Sequence, residues 1–490
     1  MQQEKLNVLL ITVDQMRGDC LSAAGHSVVE TPNLDKLANR GVFFKNAYSA
    51  TPSCIPARAA IFTGMSQRSH GRVGYMDQVP WTYPHMLPGE LAAAGYHTQC
   101  VGKMHVYPTR NLCGFHNVVL HDGYMHYNRD KSRVHVLEHY DQCDDYLHWL
   151  RGQAGVDQDL IDHGLDCNAS TVTRPWHLEE KYHPTNWVVS ESIDFLRRRD
   201  PSKPFFLWTS FVRPHPPFDP PQVYFDMYKD LDIPLPPVGS WVDSEAAAKG
   251  DTSPETAFGK LKEARLKRAL AGYYALITHL DDQIGRLMNA LSEHGVLNDT
   301  VILFTSDHGE LMGDHHYFRK SLPYEGSAKV PFLLYDPGNR LSLKGGSTID
   351  HVVEMRDIMP TLLEAAGVPI PDSVDGKSVL DLCRGEVSEW REYIHGEHSL
   401  DHLSNHYITD GKMKYIWFSQ SGREQLFNLI DDPHEVTDLA NSPSMASELV
   451  KYRNILIQEL AGREEGYSDG TSLIVGRKPL ACLSHLLHQS

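Results

Sequence analysis

Short runs of consecutive apolar residues punctuate an otherwise polar chain. Val8-Leu9-Leu10-Ile11, Phe205-Phe206-Leu207-Trp208, Val301-Ile302-Leu303-Phe304 and Phe332-Leu333-Leu334-Tyr335 are unbroken rather than alternating. Such runs mark strands covered on both faces, as in a parallel sheet between helices. Strands are expected at Asn7 to Val13, Pro204 to Phe211, Thr300 to Thr305 and Pro331 to Tyr335, with two more at Val42 to Ala47 and Thr98 to Val101. Helical spacing fills the intervals. Thr31-Pro32 opens one helix, with Pro32 at its first position. Met86 to Ala94 is amphipathic, with Pro88 in the first turn and Gly95 as its stop. Trp187 to Arg198 and Ile358 to Ala366 read as two further helices. From Glu263 to His294, Leu266, Leu270, Tyr273, Ile277, Leu280, Ile284, Leu287 and Leu291 recur in steps of four and three, one face of a long core helix.

The pattern predicts an α/β fold, a large mixed, mostly parallel sheet sandwiched by helices. From about residue 380 the texture changes. Lys412 to Phe418 and Glu424 to Leu429 look like antiparallel strands around a turn, and Met445 to Leu460 like a helix. A larger domain at 1–380 and a smaller C-terminal α+β domain at 381–490 are expected. Residues 106–185 are weakly periodic and rich in His, Asp, Tyr and Arg, and read as an insertion that shapes a pocket. The Pro-rich stretch 218–255 reads as extended surface loop.

Polar residues gather where the strands end. The first strand runs into Asp14-Gln15, the Thr98 strand into Gly102-Lys103-Met104-His105, the Pro204 strand into Arg213-Pro214-His215-Pro216-Pro217, and the Thr300 strand into Asp307-His308. In open α/β sheets the ligand crevice lies outside the carboxyl ends of the strands. Singly, each group has an ordinary explanation, and 28 histidines make incidental ones common. Their convergence is the signal. Ser53-Cys54-Ile55-Pro56-Ala57-Arg58-Ala59 adds a nucleophile. Ala59 to Thr63 reads as helix, so Cys54 lies at or near a helix N-terminus, where free N–H groups favour negative charge. Arg58 is one turn on, and Lys320 follows in a loop. A lone cysteine is more often core. A cysteine with a fixed turn and a cation describes an anion-processing site.

Cys54-x-Pro56-x-Arg58 resembles the sulfatase signature, and Gly95-Tyr96-x-Thr98-x-x-x-Gly102-Lys103-x-His105 is similar to the second signature of that family. The Pro-His-x-Pro element at 214–217 and Leu426-Phe427-Asn428-Leu429…Asp432-Pro433 also fall in family order. The chain thus resembles, over nearly its whole length, the type I, formylglycine-dependent sulfatases of the alkaline phosphatase superfamily. The resemblance implies an alkaline phosphatase-like fold and conversion of Cys54 to formylglycine by a maturation enzyme. It implies a divalent metal at Asp14, Gln15, Cys54, Asp307 and His308, with calcium first and magnesium or manganese as alternatives. Arg58 would hold the nucleophile, Lys103 and Lys320 the sulfate oxygens. One of His215 and Lys320 would protonate the leaving alcohol, and His105 would deprotonate the second hydroxyl of the aldehyde hydrate. Arg72 and Tyr75, in the loop His70 to Tyr75, are further substrate-pocket candidates.

The implied activity is hydrolysis of an aryl, alkyl or saccharide sulfate monoester. Where many relatives carry Asp-Asp and Asp-Asn, this chain has Asp14-Gln15 and Asp307-His308, a pattern similar to choline sulfatases and phosphonate monoester hydrolases. A phosphonate monoester hydrolase or phosphodiesterase is therefore the alternative, with the Lys103/His105 pair favouring sulfate. An anion-binding pseudoenzyme would have lost one of Cys54, Arg58, Lys103 or Asp307, and all four are present.

Composition narrows the partners. The net charge of −17 argues against nucleic acid and requires local basic residues at any anion site. No apolar run reaches the length of a membrane span. The eight cysteines form no CxxC pair, which suggests a reducing compartment without disulfides. The N-terminus runs straight into the first strand with no secretion signal, so a cytoplasmic location is expected, or a periplasmic or secreted one if a leader has been removed.

Overall fold

The computed structural model describes residues 5–123, 144–160, 162–386 and 389–487. Cys143 and residues 124–143 of the expected insertion lie outside the described residues. The strands are β1 (Asn7–Asp14), β2 (Val42–Phe44), β3 (Ala47–Tyr48), β4 (His97–Gly102), β5 (Asn117–Leu120), β6 (Phe205–Pro214) and β7 (Thr300–Ser306), then β8 (Phe332–Tyr335), β9 (Ser347–Ile349), β10 (Val353–Glu354), β11 (Ile394–His398), β12 (Asn405–Thr409), β13 (Met413–Phe418) and β14 (Glu424–Asn428). Eight form the large sheet in the order β5-β4-β6-β1-β7-β8-β2-β9. It is mixed and mostly parallel: β8 runs antiparallel to both β7 and β2, and the other pairs are parallel.

The unbroken apolar runs have the anticipated cause. Along β1, Leu9, Ile11 and Val13 enter the core beneath the helices Pro184–Arg198 and Glu263–Glu293. Val8 and Leu10 enter the opposite core, with the helices Cys54–Thr63, Leu87–Ala93 and Ile358–Ala365. Successive side chains alternate between faces, so a strand buried on both shows no polar alternation.

A second, antiparallel sheet has the order β11-β12-β13-β14. The helix Ala446–Leu460 covers one face through Ile408, Tyr415, Trp417, Leu456 and Leu460. The other face, with Ile394, Tyr407 and Ile416, packs on Tyr48, Ala50, Leu322 and Tyr324 beside the large sheet.

Several expectations change. Residues 106–185 are not simply an insertion: β5 is an edge strand of the large sheet, and Tyr146, Leu147 and Leu150 of the helix Asp145–Ala154 enter its core. The stretch Val42 to Ala47 is not one strand. It breaks after Phe44, so that β2 joins the large sheet while β3 pairs with β10. The 218–255 stretch carries two short helices, Gln222–Tyr228 and Ser244–Ala248. The helix at Cys54 begins at Cys54 itself, with Pro56 in its first turn. The seven described cysteines are all free thiols. No helix among the described residues is long and apolar enough to cross a membrane.

Candidate active site

Four neighbouring strands of the sheet (β4, β6, β1 and β7) deliver the site at their carboxyl ends. Asp14 closes β1, Lys103 follows β4, His215 follows β6 and Asp307-His308 follows β7. The helix Cys54–Thr63 adds the cysteine from above this edge. Asp14, Cys54, Asp307 and His308 are all buried, and each offers a ligand atom within 4.8 Å of the others.

The orientation of each group is enforced. His308 Nδ1 lies 2.9 Å from the Gly309 carbonyl, which can only accept, so Nδ1 carries the proton. Nε2 faces Cys54 Sγ at 3.2 Å and Asp14 Oδ1 at 3.4 Å; burial opposes the charged ring, but Asp307 and Cys54 outweigh it and raise its pKa. Asp307 is held on both oxygens. Oδ2 accepts from Arg58 Nε at 3.0 Å, and Oδ1 from the backbone N–H groups of Gln15 and His308. Arg58 also donates to the Lys103 carbonyl at 2.7 Å and to Ser210 Oγ at 3.0 Å. Lys103 Nζ bonds Asp14 Oδ2 and stands 3.7 Å from Cys54 Sγ.

Charge follows from this packing. Burial opposes ionisation of Asp14, but Lys103 first, then the charges of His308 and Lys320, hold its carboxyl well below the usual range. Burial and Asp14 push the Cys54 thiol up. Lys103, Lys320 and His308 outweigh them, and the net shift is downward.

Gln15 sits at φ 72°, a left-handed conformation held from both ends of the residue. Tyr273 Oη donates to its carbonyl at 2.7 Å, and its backbone N–H binds Asp307. Its side-chain amide donates to Glu310 Oε2, which turns Oε1 toward Lys320 Nζ at 2.6 Å. Lys320 Nζ also donates to His215 Nε2 at 2.9 Å, while His215 Nδ1–H donates to the Pro216 carbonyl at 2.8 Å. His215 is thus neutral, in keeping with burial and the Lys320 charge, which push its pKa well down.

Comparison with known proteins fits this arrangement. The Sulfatase family model matches residues 6–368, and the model for the C-terminal region of N-sulphoglucosamine sulphohydrolase matches residues 313–461. The chain belongs to the sulfatase family. It is similar to an arylsulfatase of Clostridium perfringens, with 58% identity over 98% of this chain and 100% of that protein. It is 29% identical to a choline-sulfatase of Rhizobium meliloti over 90% of this chain and 83% of that protein. Among solved structures, the phosphonate monoester hydrolase of Agrobacterium radiobacter superposes with a TM-score of 0.74 at 26% identity, covering 93% of this chain and 95% of that one.

Set in this sulfatase fold, the residues expected from sequence divide into three groups. Asp14, Cys54, Arg58, Lys103, Asp307 and His308 form one bonded cluster, and Gln15, His215 and Lys320 a second that adjoins it through the Gln15–Asp307 bond. His105 and Tyr75 meet edge to face, with ring centroids 6.0 Å apart. His105 is buried and its backbone N–H donates to Asp122 at 2.9 Å. Arg72 joins neither cluster. Its guanidinium donates to Tyr83 Oη and to the Val79 and Pro80 carbonyls, and lies over the Trp81 ring at 4.8 Å. It braces the 70–83 loop. Ser210, Tyr273 and Glu310 were not among the sequence candidates. A serine in a strand and a tyrosine on a core helix carry no local signal, and only the fold shows what they hold.

Proposed function

We propose that the chain hydrolyses sulfate monoesters to an alcohol and inorganic sulfate, with Cys54 as the precursor of a formylglycine nucleophile. The observation that carries this is the single buried cluster of Cys54, Asp14, Asp307, His308 and Lys103, in a chain 58% identical to an arylsulfatase. Two carboxylates and an imidazole whose Nε2 faces inward, able to give up its proton to a metal, suit a hard divalent cation, calcium first, with magnesium or manganese compatible. Asp14, Asp307, His308 and the Gln15 amide oxygen would hold it. Such a cation supplies Lewis-acid stabilisation of negative charge. Chelation should abolish turnover and lower the melting temperature, and added calcium should restore both.

The chain's own residues account for the rest. Arg58, fixed by Asp307, the Lys103 carbonyl and Ser210, keeps Nη2 without a partner among the described residues, as the donor for the nucleophile's oxygen. Lys103 and Lys320 bring positive charge to the sulfate oxygens. The nucleophile's hydroxyl gives its proton to the Asp14 carboxylate, which lies 3.6 Å from Cys54 Sγ, and forms the new S–O bond as the ester S–O bond breaks. The leaving oxygen takes its proton from Lys320, because His215 beside it holds its only proton on Nδ1. His105 is the base for the remaining hydroxyl. As that proton leaves, the aldehyde re-forms and sulfate departs. A maturation enzyme that converts Cys54 is the required partner.

A second reading is favoured by one finding. Two phosphonate monoester hydrolases, at 26% and 25% identity, cover 93% of this chain with TM-scores of 0.74 and 0.75. The test is the mass of the Cys54 tryptic peptide beside rates on 4-nitrophenyl sulfate and on a phenyl phosphonate monoester. Converted Cys54 with faster sulfate turnover is expected. Converted Cys54 with faster phosphonate turnover would establish the second reading instead.

A further inference from the structure

The antiparallel sheet turns two unsatisfied polar residues toward the site. His398 ends β11 and lies directly opposite Asn405, which begins β12. Directly opposed residues in an antiparallel pair project from the same face. Ile394, four residues before His398, and Tyr407, two residues after Asn405, lie on the same face and pack on Tyr48 and Ala50, so this is the face turned to the large sheet. The backbone ties it down at both sides of the active site. Glu397 N–H donates to the Ala50 carbonyl, Ser321 N–H to the Pro52 carbonyl, and Asn405 Nδ2 to the Ser321 carbonyl at 3.1 Å. The pair therefore sits between the segment leading to Cys54 and the residue after Lys320.

His398 is 2% exposed and Asn405 1%, as deep as Cys54 and Lys103. Yet neither ring nitrogen of His398 nor Oδ1 of Asn405 has a hydrogen-bond partner among the described residues, and Thr51 Oγ1, three residues before Cys54, has none either. Buried polar atoms are normally paired, and each left unpaired costs about 1–3 kcal/mol. Their chemistry limits what can pair them. Both Nδ2 hydrogens of Asn405 are taken, by the Ser321 and Leu403 carbonyls, so Oδ1 can only accept. Burial, with the charges of His308 and Lys320, keeps His398 neutral, so its ring offers one donor and one acceptor. The missing partner must present an O–H or N–H. A bare aryl group or a quaternary ammonium has none.

We propose that His398 and Asn405 form a subsite that hydrogen-bonds a hydroxyl of the alcohol portion of the substrate, so that the substrate is a polyol or saccharide sulfate. This rests on the reading that a sulfate ester is bound at Cys54. The subsite gives the C-terminal sheet a role in specificity: it recognises the alcohol, while the strand ends of the large sheet recognise the sulfate.

The test compares N-acetylglucosamine 6-sulfate, glucose 6-sulfate and galactose 6-sulfate with 4-nitrophenyl sulfate, on Cys54-converted protein and on His398→Ala and Asn405→Ala. His398→Gln serves if His398→Ala does not fold. Wild type is expected to turn over at least one sugar sulfate. Each variant should lose roughly 10–100-fold more kcat/KM on that sugar than on 4-nitrophenyl sulfate, mostly through KM. Equal losses on both substrates would mean a structural role and overturn the subsite. Wild-type turnover of 4-nitrophenyl sulfate with none of the three sugars would also overturn it, and leave the sulfatase reading standing. No turnover of any sulfate ester by fully converted protein would sink that reading, and the subsite with it.

Discussion

Lys320 shows how much function one proton's position decides. Its ammonium donates at once to Gln15 Oε1 and to His215 Nε2, so in the proposed mechanism the histidine is an acceptor and Lys320 the acid. The need for an acid scales with the basicity of the leaving group. Lys320→Ala should therefore lower kcat on an alkyl or sugar sulfate by roughly 10²–10³-fold, and on 4-nitrophenyl sulfate by under about 10-fold. Rates measured on both esters check this. Arg72 makes the opposite case. A basic residue beside a nucleophile loop reads as a ligand for anions, but Arg72 Nε and Nη2 donate to Tyr83, Val79 and Pro80, and only Nη1 lacks a partner among the described residues. Removing Arg72 leaves the buried Val79 carbonyl and the half-buried Pro80 carbonyl without their donor and takes the guanidinium off the Trp81 ring. Arg72→Ala should cost roughly 2–4 kcal/mol in urea unfolding and change KM by less than about twofold.

Among the elements, the strands buried on both faces were legible in the sequence and the edges were not. β1, β6 and β7 announce themselves as unbroken apolar runs because each face has its own helices. β5 escaped because it is short, an edge strand, and preceded by polar residues. β11 and β12 escaped for another reason. Glu397 and His406 are buried polar residues and His395 is half-buried, with His395 and His406 stacked at 5.6 Å and Glu397 paired to Arg463 at 2.7 Å, so the apolar alternation of a strand is erased. The site was legible in its strand-end residues, each next to a readable run. Its supports were not: Glu310 and Tyr273 act through contacts across hundreds of residues. The end of β6 shows such support at element scale. Arg213 makes a bidentate pair with Asp219 at 2.7 and 2.6 Å, fully buried, closing the loop that carries His215. Breaking it strands a charge in the core. Asp219→Ala should destabilise the protein by roughly 3–5 kcal/mol, and the folded fraction should show a raised KM as His215 loses its anchor. Chemical unfolding and steady-state kinetics on the same sample measure both.

At the scale of the whole molecule, the two sheets meet across buried charge. Lys414 of β13 is shared by Glu325 and Glu435, and Glu325 has Lys329 as a second partner while Glu435 has Lys414. Burial pushes Glu435 up to about 7, against the pull of Lys414, whereas Lys414 and Lys329 outweigh burial at Glu325 and hold it below its ordinary value. A carboxyl whose folded pKa exceeds its unfolded one stabilises the fold fully below the unfolded value. That stabilisation is lost as pH rises through the folded value. Stability should therefore decline between pH 4.5 and 7, by on the order of 3 kcal/mol from this group, and Glu435→Gln should flatten the decline. Urea midpoints at pH 5 and 8 for both proteins are the check. The burial of Cys54 has a consequence of another kind, one of timing. Its sulfur is sealed by His308, which lies 254 residues further along the chain. Until β7 is made and paired with β1, the sheet edge that closes over the cysteine does not exist. At ribosomal rates of about 5–20 residues per second, that interval is roughly 10–50 s. On the proposed reading, a maturation enzyme that needs access to the Cys54 thiol finds it open throughout that window, before the sheet edge closes. If Cys54 is converted as proposed, faster folding or slower maturation would leave more folded protein with an unconverted thiol, so specific activity should report the race between the two rates as much as the quality of the site.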